Sequence, residues 1–261
     1  MEIIVLITVL IATVVGSISG IGGGVIIKPV MDAICSMSSA QISFMSGTTV
    51  LAMTFASLIR SRDEIKKIDR RGVMLAIGAA VGGLAGKQLF DIIREAASSG
   101  TMVSLVQNIF MVLLTGAVFV YTLKKENIRK MEIRNQVLAF IAGSVLGIFS
   151  SFLGIGGGPI NLMILSFFFS MDTKTAAFNS LLAIFFSQSL SFISTSITGI
   201  PDISWTLMVL MMIFGVVGAT IGRTLSKKMD NQAVDKLFMV LLVFIIGLSF
   251  YNCITFGLDL V

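Results

Sequence analysis

The chain has no histidine and only two cysteines in 261 residues. Without histidine, Ser-His catalysis, haem ligation and the common zinc hydrolase designs are excluded. Cys35 and Cys253 fall in or beside apolar runs without metal-ligand spacing, as packing residues do. Serine with lysine, or paired aspartates, would be needed for an intramembrane enzyme; no such pair is evident, so neither an enzyme nor a cofactor is expected. Charge is scarce as well, at 13% of residues against roughly 25% in soluble domains. The longest charged stretches, 60–71 and 124–134, are only about loop length and leave no room for a sizeable soluble domain. Glu2 stands where a signal peptide would carry its basic region, so the first apolar run is expected to be retained.

What the chain does have is apolar length. Hydrophobic residues make up 56% of it and the mean hydropathy is +0.99. Long apolar runs recur from one end to the other, most of them reaching the roughly 17–25 residues that span hydrocarbon as a helix. No ten-residue alternation of barrel strands is present, so helices are expected. In a soluble chain a net charge of +5 would suggest nucleic acid; here it fits basic loops against anionic lipid, with no nucleic-acid partner.

A duplication organises these runs. Residues 17–57 align without a gap on 151–191, sharing the block Gly-Ile-Gly-Gly-Gly at 20–24 and 154–158. The match continues from Gly82, Gly86 and Lys87 onto Gly218, Gly222 and Arg223, and ends with Phe-Met-Val-Leu-Leu at 110–114 and 238–242. The expected units are a first repeat over 1–123, a basic cytoplasmic linker over 124–134 and a second repeat over 135–261. Each copy opens with a run too long for one crossing and interrupted by the glycine block. Pro159 suits the first position of a new helix, and by position another should start near Gly24. Ser38 with Gln41, and Asp172 in the second copy, look like caps of the helix that follows.

Basic residues discriminate between topologies, because loops rich in lysine and arginine stay inside. If each broken run crosses once, eleven basic residues fall inside and eight outside; if each is a hairpin returning to its starting side, the division is sixteen against three. The sequence therefore predicts an all-α polytopic membrane protein of two homologous inverted repeats. Each would be a glycine-broken helical hairpin plus three transmembrane helices, with both termini outside a prokaryotic cytoplasmic membrane.

Inverted hairpins enter from opposite faces, so their tips can meet near the midplane, where repeat transporters bind substrate. Backbone N–H groups and helix N-termini there would receive an anion. The candidate site residues are Gly22, Gly23 and Gly24 in the first tip and Gly156, Gly157 and Gly158 in the second. Ser46, Thr49 and Ser180 add hydroxyls that either line a path or bond back to their own or neighbouring helices, while Asn161, Asn179 and Gln188 add amides that need partners at lipid depth and are expected in a protein-lined cavity. Lys28, in an apolar stretch before Pro29, either meets the substrate or snorkels to the outer interface. Gly78, Gly82, Gly86, Gly218 and Gly222, at four-residue spacing, suit helix packing. Neither glycine block is a nucleotide motif, since no Gly-Lys-Ser/Thr follows and Val25 and Pro159 stand where a dinucleotide fingerprint needs its third glycine.

The stretches Gly-Ile-Gly-Gly-Gly-Val-Ile-Ile-Lys-Pro at 20–29 and Gly-Ile-Gly-Gly-Gly-Pro-Ile-Asn at 154–161 resemble the duplicated signature of the TauE/SafE sulfite exporter family. That resemblance covers the whole chain and implies transport of small sulfur oxyanions or organosulfonates such as sulfite or sulfoacetate. Together the readings give a carrier for a small anion working by alternating access. An anion-selective channel built from the same hairpins and a non-transporting scaffold are the alternatives. A homo-oligomer is compatible with the sequence.

Overall fold

The computed structural model describes residues 2–65, 68, 70–97, 99–125, 128–155 and 157–260, and among these there are helices and no strand. In chain order the helices are α1 (Glu2–Ser19), α2 (Gly24–Ile34), α3 (Ser39–Ile59), α4 (Arg62–Ile65), α5 (Arg70–Ala96), α6 (Gly100–Lys124), α7 (Gln136–Phe152), α8 (Pro159–Phe169), α9 (Thr173–Thr198), α10 (Trp205–Ser226) and α11 (Asn231–Leu258). Seven of them (α1, α3, α5, α6, α9, α10 and α11) are long and apolar enough to cross a membrane. Exposed apolar side chains such as Ile3, Leu113, Val137, Val240 and Leu258 face outward, as a lipid-facing surface requires.

The local signals act as expected. Ser38 and Gln41 form a capping box at α3, Asp172 caps α9 through Lys174 and Thr175, and Pro159 opens α8. α2 begins at Gly24, and the chain doubles back on α1 to reach it, with a Cβ at Gly23 falling 2.8 Å from Thr13 Cγ2. In the second broken run the return is closed by backbone. Met131 N–H donates to Phe167 O at 2.8 Å and Ile133 N–H to Phe168 O at 3.0 Å, so α8 ends beside the segment that leads into α7.

The main helix pairings are unchanged when α1, α2, α3, α5 and α6 are exchanged for α7, α8, α9, α10 and α11. α1 packs on α10 as α7 packs on α5; α3 lies against α10 as α9 lies against α5; α3 meets α9 and α6 meets α11. The four-spaced glycines make the closest of these seats. A Cβ at Gly82 would lie 2.0 Å from Ser144 O, and one at Gly222 would lie 2.2 Å from Val14 O.

Contacts between distant segments sort the connections into two ends. At one, Lys125 pairs with Asp235 at 2.5 Å, Arg71 donates to Ile133 O, Thr173 to Asp235, and Lys227 to Arg60 O. This is the basic end. At the other, Gln41 donates to Asp202 O, and Arg94, Gly100 and Pro201 line a common pocket with them. α1 runs parallel to α10, since Leu10 and Val14 lie against Gly218 and Gly222, so Glu2 falls at this second end. α11 leaves the basic end at Asn231 and finishes at the second end, placing both termini opposite the basic loops.

This geometry yields a labelling experiment. With Cys35 and Cys253 replaced, Asp202→Cys should react with an impermeant maleimide from outside the cell and Lys227→Cys only after permeabilisation. Labelling of both from one side would contradict the arrangement of ends.

Candidate functional site

The two glycine tips touch. Gly158 N–H donates to Ile21 O at 3.1 Å, and a Cβ on Gly24 would fall 2.3 Å from Ile155 O, so only glycine allows this approach. Gly158 holds φ +75°, a left-handed conformation that lets Pro159 begin α8 at once. Ile21 and Ile155 are fully buried between the tips. The expectation that the tips approach each other therefore becomes direct backbone hydrogen bonding.

Polar side chains attach to the tips unequally. Ser180 Oγ donates to Gly20 O at 2.6 Å and accepts from Asn161 Nδ2 at 3.1 Å. By the repeat alignment Ser46 corresponds to Ser180 and Gly154 to Gly20, yet the Ser46 hydroxyl is buried with no partner. The oxygen of Asn161 is likewise unpaired.

A cavity of about 290 Å³ opens at the end opposite the basic loops and reaches the second tip at Gly154. Its inner lining includes Ser43, Gly47, Ser151 and Gln188; the hydroxyls of Ser43 and Ser151 have no hydrogen-bond partner. Gln188 Nε2 is held by Ser150 Oγ at 3.1 Å. Lys87, Asp91, Arg94 and Glu95 line the mouth with balanced charge. A second cavity, of about 600 Å³, opens at the basic end among Arg71, Lys174, Arg223, Lys227 and Glu64 and includes Phe178 and Asn179 but neither tip. Among the described residues no group of acidic residues or cysteines is placed to hold a metal ion.

The residues singled out from sequence distribute as follows. Gly22, Gly23, Gly24, Gly157 and Gly158 form the joined tips, and Asn161 and Ser180 adjoin them; Ser46 is buried without a partner, and Gln188 lines the first cavity. Gly156 lies outside the described residues. Thr49 bonds back to Met45 O at 2.8 Å and packs on Gly215, and Asn179 bonds back to Thr175 O at 2.9 Å while lining the second cavity. Ser151, Lys87, Arg94 and Arg223 line cavities without having been singled out as site residues. For Lys87 and Arg223 the signal existed, because the repeat aligns them.

Lys28 does not snorkel to an interface, since its ammonium is held inside the protein. It is 2% exposed and pairs with Asp32 at 2.9 Å. Asn108 Nδ2 donates to Asp32 at 3.1 Å, and Asn252 Nδ2 donates to Pro29 O and Asn108 Oδ1, joining α2 to α6 and α11. Asp32, in the last turn of α2, is buried too. The physical reason is the i,i+4 spacing, which puts both charges on one helix face where each neutralises the other.

A family model described as "Sulfite exporter TauE/SafE" matches residues 5–250. A curated relative, "Probable membrane transporter protein YunE" of Bacillus subtilis (strain 168), is 24% identical over 266 residues, covering 90% of this chain and 92% of its own. No solved structure matches significantly.

The second copy places Leu162 and Ser166 where the first has Lys28 and Asp32, which sets up a test of the buried pair. Lys28→Leu alone strands a carboxylate and should cost about 3–5 kcal/mol, whereas Lys28→Leu with Asp32→Ser should recover most of that loss. Thermal unfolding of the purified variants distinguishes the two outcomes.

Proposed function

This chain belongs to the TauE/SafE sulfite exporter family of membrane transporters, and on that premise we propose that it carries a small sulfur oxyanion or organosulfonate by alternating access. Residues 1–123 and 135–261 then act as inverted copies, joined through a cytoplasmic linker at 124–134, with both termini outside a prokaryotic cytoplasmic membrane. The helix pairings that survive exchange of the halves support this, as does the collection of basic loops at one end.

The observation that carries the reading is the cavity that ends on the Gly154 tip beside two hydroxyls without partners. Buried hydroxyls without partners lose hydrogen-bond energy that a small oxyanion restores by accepting from them. Ser43 and Ser151 are the donors, Gln188 shapes the wall, and Lys87 and Arg94 lie on the way in. The bond from Ser180 to Gly20 is made on the side where the cavity stops short, and its counterpart from Ser46 to Gly154 is unmade on the side where the cavity is open. One bond exchanged for the other would close the first path and open the second, which is how a two-fold carrier alternates.

Thermal shift of the purified protein against sulfite, sulfate, thiosulfate, small sulfonates and carboxylates tests the substrate class. Sulfite or a sulfonate should stabilise the protein most, and Ser43→Ala with Ser151→Ala should weaken that binding roughly ten-fold or more, at about 0.5–1.5 kcal/mol per hydrogen bond. Gly24→Ala should abolish transport by separating the tips. Saturable flux stimulated by anion on the opposite side is the expected behaviour in liposomes; single-channel currents would replace the carrier with a channel.

A further inference from the structure

We propose that Lys87 and Arg223 are paired anion-binding residues, one in each cavity, each held in waiting by a carboxylate that the transported anion replaces. The inference rests on the transporter reading above and names the residues that meet the substrate on either side.

Four observations converge on these two cations. They occupy equivalent places in the duplicated sequence, each directly after a packing glycine, Gly86 and Gly222. They line cavities that open at opposite ends of the molecule. Each is paired with a carboxylate, Lys87 with Asp91 at 2.6 Å and Arg223 with Glu64, and Arg223 Nε also donates to Ser61 Oγ. In both pairs the carboxylate is the more exposed member, at 28% against 12% for Lys87 and 42% against 4% for Arg223.

That last asymmetry bears on function. A cation buried behind its own counter-ion is already desolvated, and a partly exposed carboxylate returns to water at little cost when another anion takes its place. The exchange keeps the number of charges around the cation constant, so an anion can be accepted without stranding a buried ammonium or guanidinium. A small oxyanion with a free oxygen edge matches this chemistry, since a guanidinium binds such an edge through two donors and an ammonium through one. Arg223 is the sole charged residue of α10, which makes it costly to bury and difficult to explain by packing alone.

The test uses proteoliposomes of known orientation with sulfite as the probe. Lys87→Gln should raise the half-saturating concentration for entry from the terminal end about ten-fold or more and leave the other direction within about two-fold; Arg223→Gln should do the reverse. Lys87→Arg and Arg223→Lys should restore most of the affinity. Asp91→Asn, which removes the competing charge, should lower the concentration needed from the terminal end. Equal effects on both directions, no effect on either, or Asp91→Asn acting like Lys87→Gln would overturn the exchange and leave the pairs as structural. Failure of the unsubstituted protein to move sulfite would overturn the transporter reading for this anion, and this inference with it. Should Arg223→Gln fail to fold, Arg223→Lys and Glu64→Gln carry the same comparison for the basic end.

Discussion

Everything in this molecule turns on how non-helical backbone is kept satisfied at lipid depth. A glycine loop in hydrocarbon would leave several peptide groups without partners, each costing several kcal/mol, so such loops survive only where protein covers them. Here each tip covers the other. Gly158 N–H bonds to Ile21 O, Ser180 to Gly20 O, and the backbones approach so closely at Gly24 and Ile155 that no side chain fits between them. The remaining helices hold that contact in place, through glycine seats on α5 and α10 that clamp the helices leading into the tips.

Much of this was legible in the sequence because the signals are local. Pro159 lacks the N–H that would go unpaired at the start of α8, the box of Ser38 with Gln41 and the Asp172 cap satisfy donors within a turn of their own positions, and the structure uses all three as expected. The glycine spacing on α5 and α10 was legible for the same reason, since four-residue spacing fixes a helix face whatever packs on it. What sequence left undecided were choices between two partners. Thr49 had both a path to line and its own helix to bond, and the intrahelical carbonyl at i−4 won because it lies within reach in every conformation, whereas Asn179 bonds back to Thr175 O and lines the second cavity as well. Lys28 was undecided for a different reason: the burial of its pair with Asp32 depends on Asn108, which α6 brings to that carboxylate from far along the chain. The cations at 87 and 223 directly follow the last packing glycine of their runs, and α5 and α10 extend past them.

Duplication also supplies an internal control. Where the halves agree, as in the glycine seats, the fold requires the feature. Where they differ, it does not: Leu162 and Ser166 hold α8 in place without charge, whereas α2 carries a buried ion pair and two asparagines from neighbouring helices. A buried pair adds little stability over an apolar substitute and much penalty when broken. Its presence in one half alone makes the two hairpins unequal in how each is tied to its neighbours, α2 through charge and amide contacts and α8 without them.

The seating of α1 on α10 and of α7 on α5 has a consequence for biogenesis. Each half offers a glycine groove that only the other half fills, so the first half leaves the ribosome with its closest contacts unmade. α1 is finished by residue 19 and its seat only by residue 226, a delay of roughly 10–40 s at synthesis rates of about 5–20 residues per second. The wait is shorter for α5, which ends at residue 96 and meets α7 by residue 152, roughly 3–11 s later; until then Gly78, Gly82 and Gly86 present a backbone-lined trough to lipid, the type of surface on which stray membrane helices dock. Insertion of this chain is therefore a matter of timing, and the cell's membrane chaperones have their task set by the slowest-arriving helix.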